Sequence, residues 1–138
     1  MFVQHVTPIL NVSDFQQSVE WFEKWGWKKL WDWGDPTGFG AVRSGHAEIF
    51  LCVNGQGGRG KADAPARNGF YESNNKGVWM SAWVDDVDAV HRQCVQNGIE
   101  VLLEPTDMEW NVREMHIQHP DGHVFRVGKG FEEEKETA

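Results

Sequence analysis

Reactive side chains crowd one stretch near the end of the chain, Arg113-Glu-Met-His-Ile-Gln-His-Pro-Asp-Gly-His-Val-Phe-Arg126. Histidines, carboxylates and arginines this close together could hold a metal ion or move protons. The spacing argues otherwise. The stretch reads as strand, tight turn, strand, with Pro120 presetting one turn dihedral and Gly122 supplying a positive φ. Across such a turn His116, His119 and His123 lack the shared face that the same spacings would have on a helix. Each is expected to be hydrogen-bonded or solvated rather than ligating, as are His46 in a hairpin turn and His91 near a helix surface. Gly57-Gly-Arg-Gly60 is glycine-rich, but no Lys-Ser/Thr pair opening a helix follows, so a phosphate loop is not indicated. No nucleophile-elbow serine is present. Cys52 and Cys94 lie in different predicted elements and are read as buried free thiols of a reducing, cytoplasmic setting.

The bulk numbers narrow the classes. At 138 residues, 40% hydrophobic and 25% charged, the chain is one ordinary globular domain or two half-domains sharing a core. A net charge of −8 argues against nucleic acid, which needs a basic face. Part of that excess sits in Glu132, Glu133, Glu134 and Glu136, in a tail expected to fray. No apolar run is long enough for a membrane span, and no secretory signal is expected at Met1-Phe-Val-Gln-His5. Of the eight tryptophans, Trp21, Trp25, Trp27, Trp31 and Trp33 crowd into one stretch. Most are expected in the core or a dimer interface, with a stacking wall for a flat ligand as the sharper alternative.

The elements that must position these groups are written twice. Val12-Ser-Asp14-Phe, Gly26 and Leu30 recur at a constant offset as Val84-Asp-Asp86-Val, Gly98 and Leu102. Each copy predicts strand, cap, helix, glycine stop and strand. Asp14 and Asp86, or Ser13 and Asp85, can cap the helices. Phe15, Val19, Phe22 and Trp25 share one helical face, as do Val87, Val90, Cys94 and Asn97. Further strands are expected at Phe39–Val42, Ala47–Val53, Val112–Gln118 and His123–Val127. The result is α+β: two tandem βαβββ modules, residues 1–53 and 78–131, forming a cupped half-barrel sheet. Between them, 54–77 is rich in Gly and Asn and reads as a passive linker, a hinge for module exchange or a flap over a groove. Residues 132–138 form the acidic tail.

Several stretches resemble the glyoxalase/bleomycin-resistance/dioxygenase (vicinal oxygen chelate) superfamily, and bleomycin-resistance proteins within it. They are Thr7-Pro-Ile-Leu through Trp21-Phe22, Phe39-Gly-Ala-Val, Ala82-Trp-Val-Asp-Asp-Val, Trp110-Asn-Val-Arg-Glu-Met115 and the final hairpin. Metal-dependent members take four His or Glu ligands facing into the cup. The resemblance puts Thr7, Phe50, Trp79 and Arg126 at those positions, and none suits a cation; Arg126 would oppose one. His5 and Glu48, two residues before Thr7 and Phe50 and so on the same strand face, would supply half a site. No cofactor is expected.

The resemblance therefore implies a metal-free binding protein. Its homodimer would sequester a small molecule, a bleomycin-like antibiotic or similar cationic aromatic ligand, in a groove between chains. Phe39 and Trp110 fall where the family stacks on the ligand's rings. Asp32, Asp35 and Glu109 are candidates for an acidic rim. Arg113 and Glu114 sit in the best-matched motif, where they face the ligand or pair with each other. The alternative is a glyoxalase-like metal-dependent lyase or isomerase, or a dioxygenase, using His5 and Glu48. A third reading is a module that senses a small molecule or partners another protein.

Overall fold

The computed structural model describes residues 1–61 and 76–131. Most of the predicted connection and the whole acidic tail lie outside the described residues. So do the linker, hinge and flap readings attached to them.

The order is β1 (Ile9–Val12), α1 (Phe15–Glu23), β2 (Lys28–Trp33), β3 (Phe39–Ser44), β4 (Ala47–Val53), then β5 (Trp79–Trp83), α2 (Val87–Gln96), β6 (Val101–Asp107), β7 (Val112–Gln118) and β8 (Val124–Gly130). Each half makes one four-stranded mixed sheet, ordered β1-β4-β3-β2 and β5-β8-β7-β6, and neither closes into a barrel. In each sheet the first strand pairs parallel to the last and the other pairings are antiparallel. The two βαβββ modules of the sequence are thus the two sheets with their helices.

Local chemistry explains the helices. Asp14 and Asp86 cap them, their carboxylates accepting the backbone N–H of Gln17 at 2.9 Å and of Ala89 at 3.0 Å. Past the helix ends, Gly26 and Gly98 take φ of +104° and +75°, where a Cβ would be strained. Phe15, Val19 and Phe22 on α1 and Val87 and Cys94 on α2 are buried, and each such large apolar side chain contributes roughly 1.5–3 kcal/mol. Val90 packs at the edge of the same core. Asn97 instead becomes the C-cap of α2 and donates its Nδ2–H to the Lys24 carbonyl at 2.8 Å, tying the ends of the two helices together.

The core does not stop at the module boundary. One cluster holds Leu10, Phe22, Trp25 and Leu51 of the first module with Met115, Ile117, Phe125 and Val127 of the second. The rings of Trp21 and Trp25 lie 5.6 and 5.2 Å from that of Phe125. Most tryptophans of the crowded stretch are accounted for here: Trp21, Trp25 and Trp27 are buried, whereas Trp33 is 75% exposed.

The second lock is the turn read from the sequence. The Gly122 N–H donates to the His119 carbonyl at 2.8 Å, and Gly122 takes φ of +89°. A Cβ there would strike the Gly60 carbonyl. Asp121 Oδ2 accepts the Ser13 N–H at 2.9 Å, and His123 Nε2 meets the Asn11 carbonyl at 2.7 Å. The turn of the second module is therefore seated on the first. Gly122→Ala should lower stability by about 2–3 kcal/mol, from the left-handed backbone and the collision together. Urea denaturation of the two proteins measures it, and equal midpoints would show that the turn relaxes freely.

Candidate functional site

Alternation along the strands divides every side chain between two faces. Leu10, Val42, Leu51, Met115, Ile117, Phe125 and Val127 face the shared core. Their neighbours in sequence face away and line the open face of each sheet.

On the first sheet that open face is aromatic. Phe39 and Phe50 stand 5.4 Å apart, and Trp31 lies 5.5 Å from Phe39 and 5.4 Å from Phe50. The ring planes are tilted by 39–64° to one another, and Gly40, beside Phe39, leaves room beneath them for the Phe15 ring, where a Cβ would collide. Trp31 joins through an irregularity between Lys29 and Trp31, which brings it opposite Ala41. Next to it on β2, Trp33 stands opposite Phe39.

On the second sheet the open face is charged. Glu114 is 1% exposed and accepts four hydrogen bonds. They come from Arg126 Nε at 2.8 Å and Nη2 at 2.9 Å, Trp110 Nε1 at 2.8 Å and His116 Nε2 at 2.7 Å. Burial pushes its carboxyl up, but the bonds from Arg126, His116 and Trp110 prevail and hold it at about 2. Burial lowers His116, so the ring is neutral and donates its Nε2–H to the carboxylate. Trp79 packs edge-on to His116 at 6.0 Å.

The expected site residues fall into separate groups. Asp32, Asp35 and Phe39 lie on or beside β2 and β3; Glu109, Trp110 and Glu114 lie on or beside β7. Among the described residues no hydrogen bond, ion pair or ring contact joins the two groups. Asp32 is ion-paired with Lys29 at 2.7 Å, both side chains remaining exposed. Asp35 and Glu109 are exposed in turns. Trp110 is 48% exposed, with its indole N–H committed to Glu114. The reading that Arg113 and Glu114 pair with each other is corrected. Adjacent in a strand, they point to opposite faces, and Arg113 reaches Asp88 on α2 at 2.8 Å and Asp107 at 2.9 Å. The hydrogen bond from Arg113 holds Asp88 below the usual carboxylate range. Trp31 was missed, hidden by the irregularity in β2. Arg126 was expected to face the cup, but its pairing with Glu114 beside His116 was not read, although strand parity and register put all three on one face.

The histidines of the turn are buried and hydrogen-bonded, not solvated. Ser18, His119 and Asp121 look like a nucleophile, base and acid, but their polarity is reversed. His119 Nδ1 accepts the Asp121 backbone N–H at 3.0 Å, so the ring proton is on Nε2 and is donated to Ser18 Oγ at 2.7 Å. A ring nitrogen that donates cannot deprotonate the hydroxyl. His123 is fixed likewise, accepting from the Val78 N–H at 2.9 Å and donating to Asn11. Thr7, Phe50, Trp79 and Arg126 do not fit a divalent cation. No group of three or more His, Cys, Asp or Glu side chains among the described residues is placed to share one. His5 and Glu48 both line a cleft between the modules.

A duplicated βαβββ chain, with two helices and two mixed sheets each leaving one face open, defines a class of paired-module α+β proteins. The chain belongs to the Glyoxalase/Bleomycin resistance protein/Dioxygenase superfamily, whose model matches residues 3–127. It is similar in structure to TioX from Micromonospora sp. ML1, with a TM-score of 0.69 at 16% identity over 91% of this chain and 98% of that one. It is also similar to a bleomycin-binding protein solved in complex with bleomycin, with a TM-score of 0.68 at 18% identity over 94% and 100%. A bleomycin resistance determinant encoded on the transposon Tn5 gives 0.69 at 16% identity over 93% and 98%. No curated protein sequence matches the chain.

Two expectations follow from the polar clusters. Burial lowers His119 to about 3, with His123 adding to the effect, and burial lowers His123 too. Unfolded histidines bind protons near pH 6.5, so stability is full above that pH and falls as acid is added towards the folded values. The loss from His119 should approach about 1.4 kcal/mol per pH unit below pH 6, and His123 adds to it in the same direction. Denaturation midpoints between pH 7.5 and 4.5 measure it, and His119→Gln should flatten the profile. Arg126→Met should destabilise by roughly 3 kcal/mol, because Glu114 keeps a buried charge without its main partner. Adding Glu114→Gln should restore part of that loss.

Proposed function

We propose that this protein is a metal-free binding protein that sequesters a flat, cationic aromatic molecule of the bleomycin kind in a groove completed by a second copy. The observation that carries the reading is the Trp31, Phe39 and Phe50 shelf, with ring spacings of 5.4–5.5 Å on an open sheet face. Aromatic faces stack on planar rings and attract cations. Likeness to a bleomycin-binding protein and to a bleomycin resistance determinant supports the ligand class.

The two sheet faces differ in a way that suits such a ligand. One offers aromatic rings, the other a polar cluster with Trp110 at its edge. Within one chain the modules meet through their core faces, so the two open faces need a partner to face them. Trp33, Trp83 and Trp110, exposed by 75, 67 and 48%, leave apolar surface for that partner to cover. Asp35 and Glu109 remain the candidates for an acidic rim, together with Asp32, which is exposed and shares its position with Lys29.

Calorimetric titration with copper-free bleomycin tests the reading directly. Binding near one ligand per chain, unchanged by a chelator, is expected; no heat at two temperatures would remove this ligand class. Trp110→Ala should weaken that binding by about 1–3 kcal/mol as a stacking anchor. Unaltered affinity would take Trp110 out of the site. Light scattering at micromolar concentration should give a dimer, and a monomer would leave the groove without its second wall.

A further inference from the structure

The open face of the second sheet is balanced in charge but not complete in hydrogen bonds. A guanidinium carries five N–H donors in a fixed plane. Arg126 spends two of them side-on, from Nε and Nη2, on the Glu114 carboxylate. The other edge, where Nη1 and Nη2 hold a parallel pair of N–H groups, points away from Glu114. Among the described residues nothing accepts from Nη1. The buried side-chain polar atoms left without a partner among those residues are Asn11 Oδ1 and Trp25 Nε1. Arg126 Nη1 is not one of them, so it reaches the surface, and the side chain is 34% exposed.

An ordinary surface arginine leaves such an edge to water. Arg126 differs in two respects. Its side chain is already immobilised, because the carboxylate it grips is itself held by Trp110 Nε1 and His116 Nε2. The rotamer freedom that an arginine gives up on binding has therefore been given up on folding. Its surroundings are also apolar. Register places the small, exposed Ser81 beside it on β5, with Trp83 next along that face and 67% exposed. Trp110, 48% exposed, stands on the β7 side. Apart from Glu114 and Arg126, the residues that β5, β7 and β8 turn to this face carry no charge.

We infer that the free edge of Arg126 is the polar anchor of the proposed groove and takes the carbonyl oxygen of an uncharged amide or lactam on the ligand. The inference rests on the function proposed above and narrows its ligand. One carbonyl oxygen has two lone pairs and can accept both parallel N–H groups. A carboxylate would match the fork in shape. Glu114 already neutralises the guanidinium, however, and a second anion would lose its hydration beside it in a chain of net charge −8. The cationic part of the ligand is served by the rings of the first sheet, so the two recognitions do not compete.

Three flat probes of one outline test the assignment. They are 2-naphthamide, with a neutral acceptor, 2-naphthoate, with an anionic one, and 2-isopropenylnaphthalene, with none. Nitrogen–proton correlation NMR follows the tryptophan indole and arginine Nε–H resonances, with that of Arg126 assigned by its loss in Arg126→Lys. The amide should bind about five- to tenfold more tightly than either other probe and should move the Arg126 resonance most. Arg126→Met combined with Glu114→Gln, which removes both charges together, should bring the amide down to the affinity of the hydrocarbon. Arg126→Lys, which keeps the charge without the fork, should not restore the preference.

Equal affinities for amide and hydrocarbon, or tighter binding of the naphthoate, would overturn the inference and leave the groove standing, since the bleomycin titration tests that separately. Failure of all three probes to bind would overturn it together with the groove. An amide affinity that falls as protein concentration rises would also overturn it, showing that a backbone carbonyl of a second copy fills the fork. The three-probe comparison on the unaltered chain decides the matter even if a variant fails to fold.

Discussion

The turn from His119 to His123 reaches out of the second module and closes on the first through His119 to Ser18, His123 to Asn11 and Ser13 to Asp121. Each imidazole already accepts a backbone N–H at Nδ1, from Asp121 or from Val78, so only Nε2 can carry a proton. A second proton would set a donor against a donor at Nδ1. The junction is therefore built for the neutral rings, and burial keeps them neutral. The aromatic core depends on the same seating. Trp21 stands 5.0 Å from His119 and 5.6 Å from Phe125, so a displaced turn would open the packing between the modules.

Strand parity does the sorting above that foundation. Arg113 and Glu114 are consecutive, yet one is spent on the core-side helix and the other on the open face. Arg113 fastens α2 and the end of β6 to β7 through Asp88 and Asp107. Glu114 gathers Arg126, His116 and Trp110 into one cluster, and its charge is stabilised only because all of them donate to it. A buried carboxylate with fewer partners would take up a proton instead. The open face of the second sheet is thus electrostatically closed on itself, with its side chains in fixed orientations.

Much of the fold was legible because its signals are local and written twice. Asp14 and Asp86 read as caps, Gly26 and Gly98 as stops, and each does what its chemistry dictates. The His-Pro-Asp-Gly turn was equally plain from Pro120 and Gly122. The partners of the site side chains were not legible, because they are set across strands and across modules. That Ser18 would meet His119, a hundred and one residues away, has no trace in either segment. Nor does the composition of β2 reveal the irregularity that turns Trp31 onto the aromatic shelf. Alternation did hold enough information to part Arg113 from Glu114; motif similarity drew attention to their adjacency instead.

The duplication itself gives the site its asymmetry. In the first sheet Phe50 lies between Ile9 of β1 and Ala41 of β3; in the second, Arg126 lies between Ser81 of β5 and His116 of β7. Phe50 and Arg126 are thus equivalent positions in the repeat, as are Ala41 and His116, and Phe39 and Glu114. The same three places hold two aromatic rings and a methyl in one module, and a carboxylate, an imidazole and a guanidinium in the other. An apolar wall can adapt to ligand shape, since stacking has no fixed hydrogen-bond directions. A wall of interlocked charges cannot, because moving one member strands another. A groove with one wall of each kind would bind by stacking on the first and discriminate by the fixed polar geometry of the second. On the function proposed above, affinity would come from Trp31, Phe39, Phe50 and the Trp110 ring, and specificity from the hydrogen-bonded groups around Glu114.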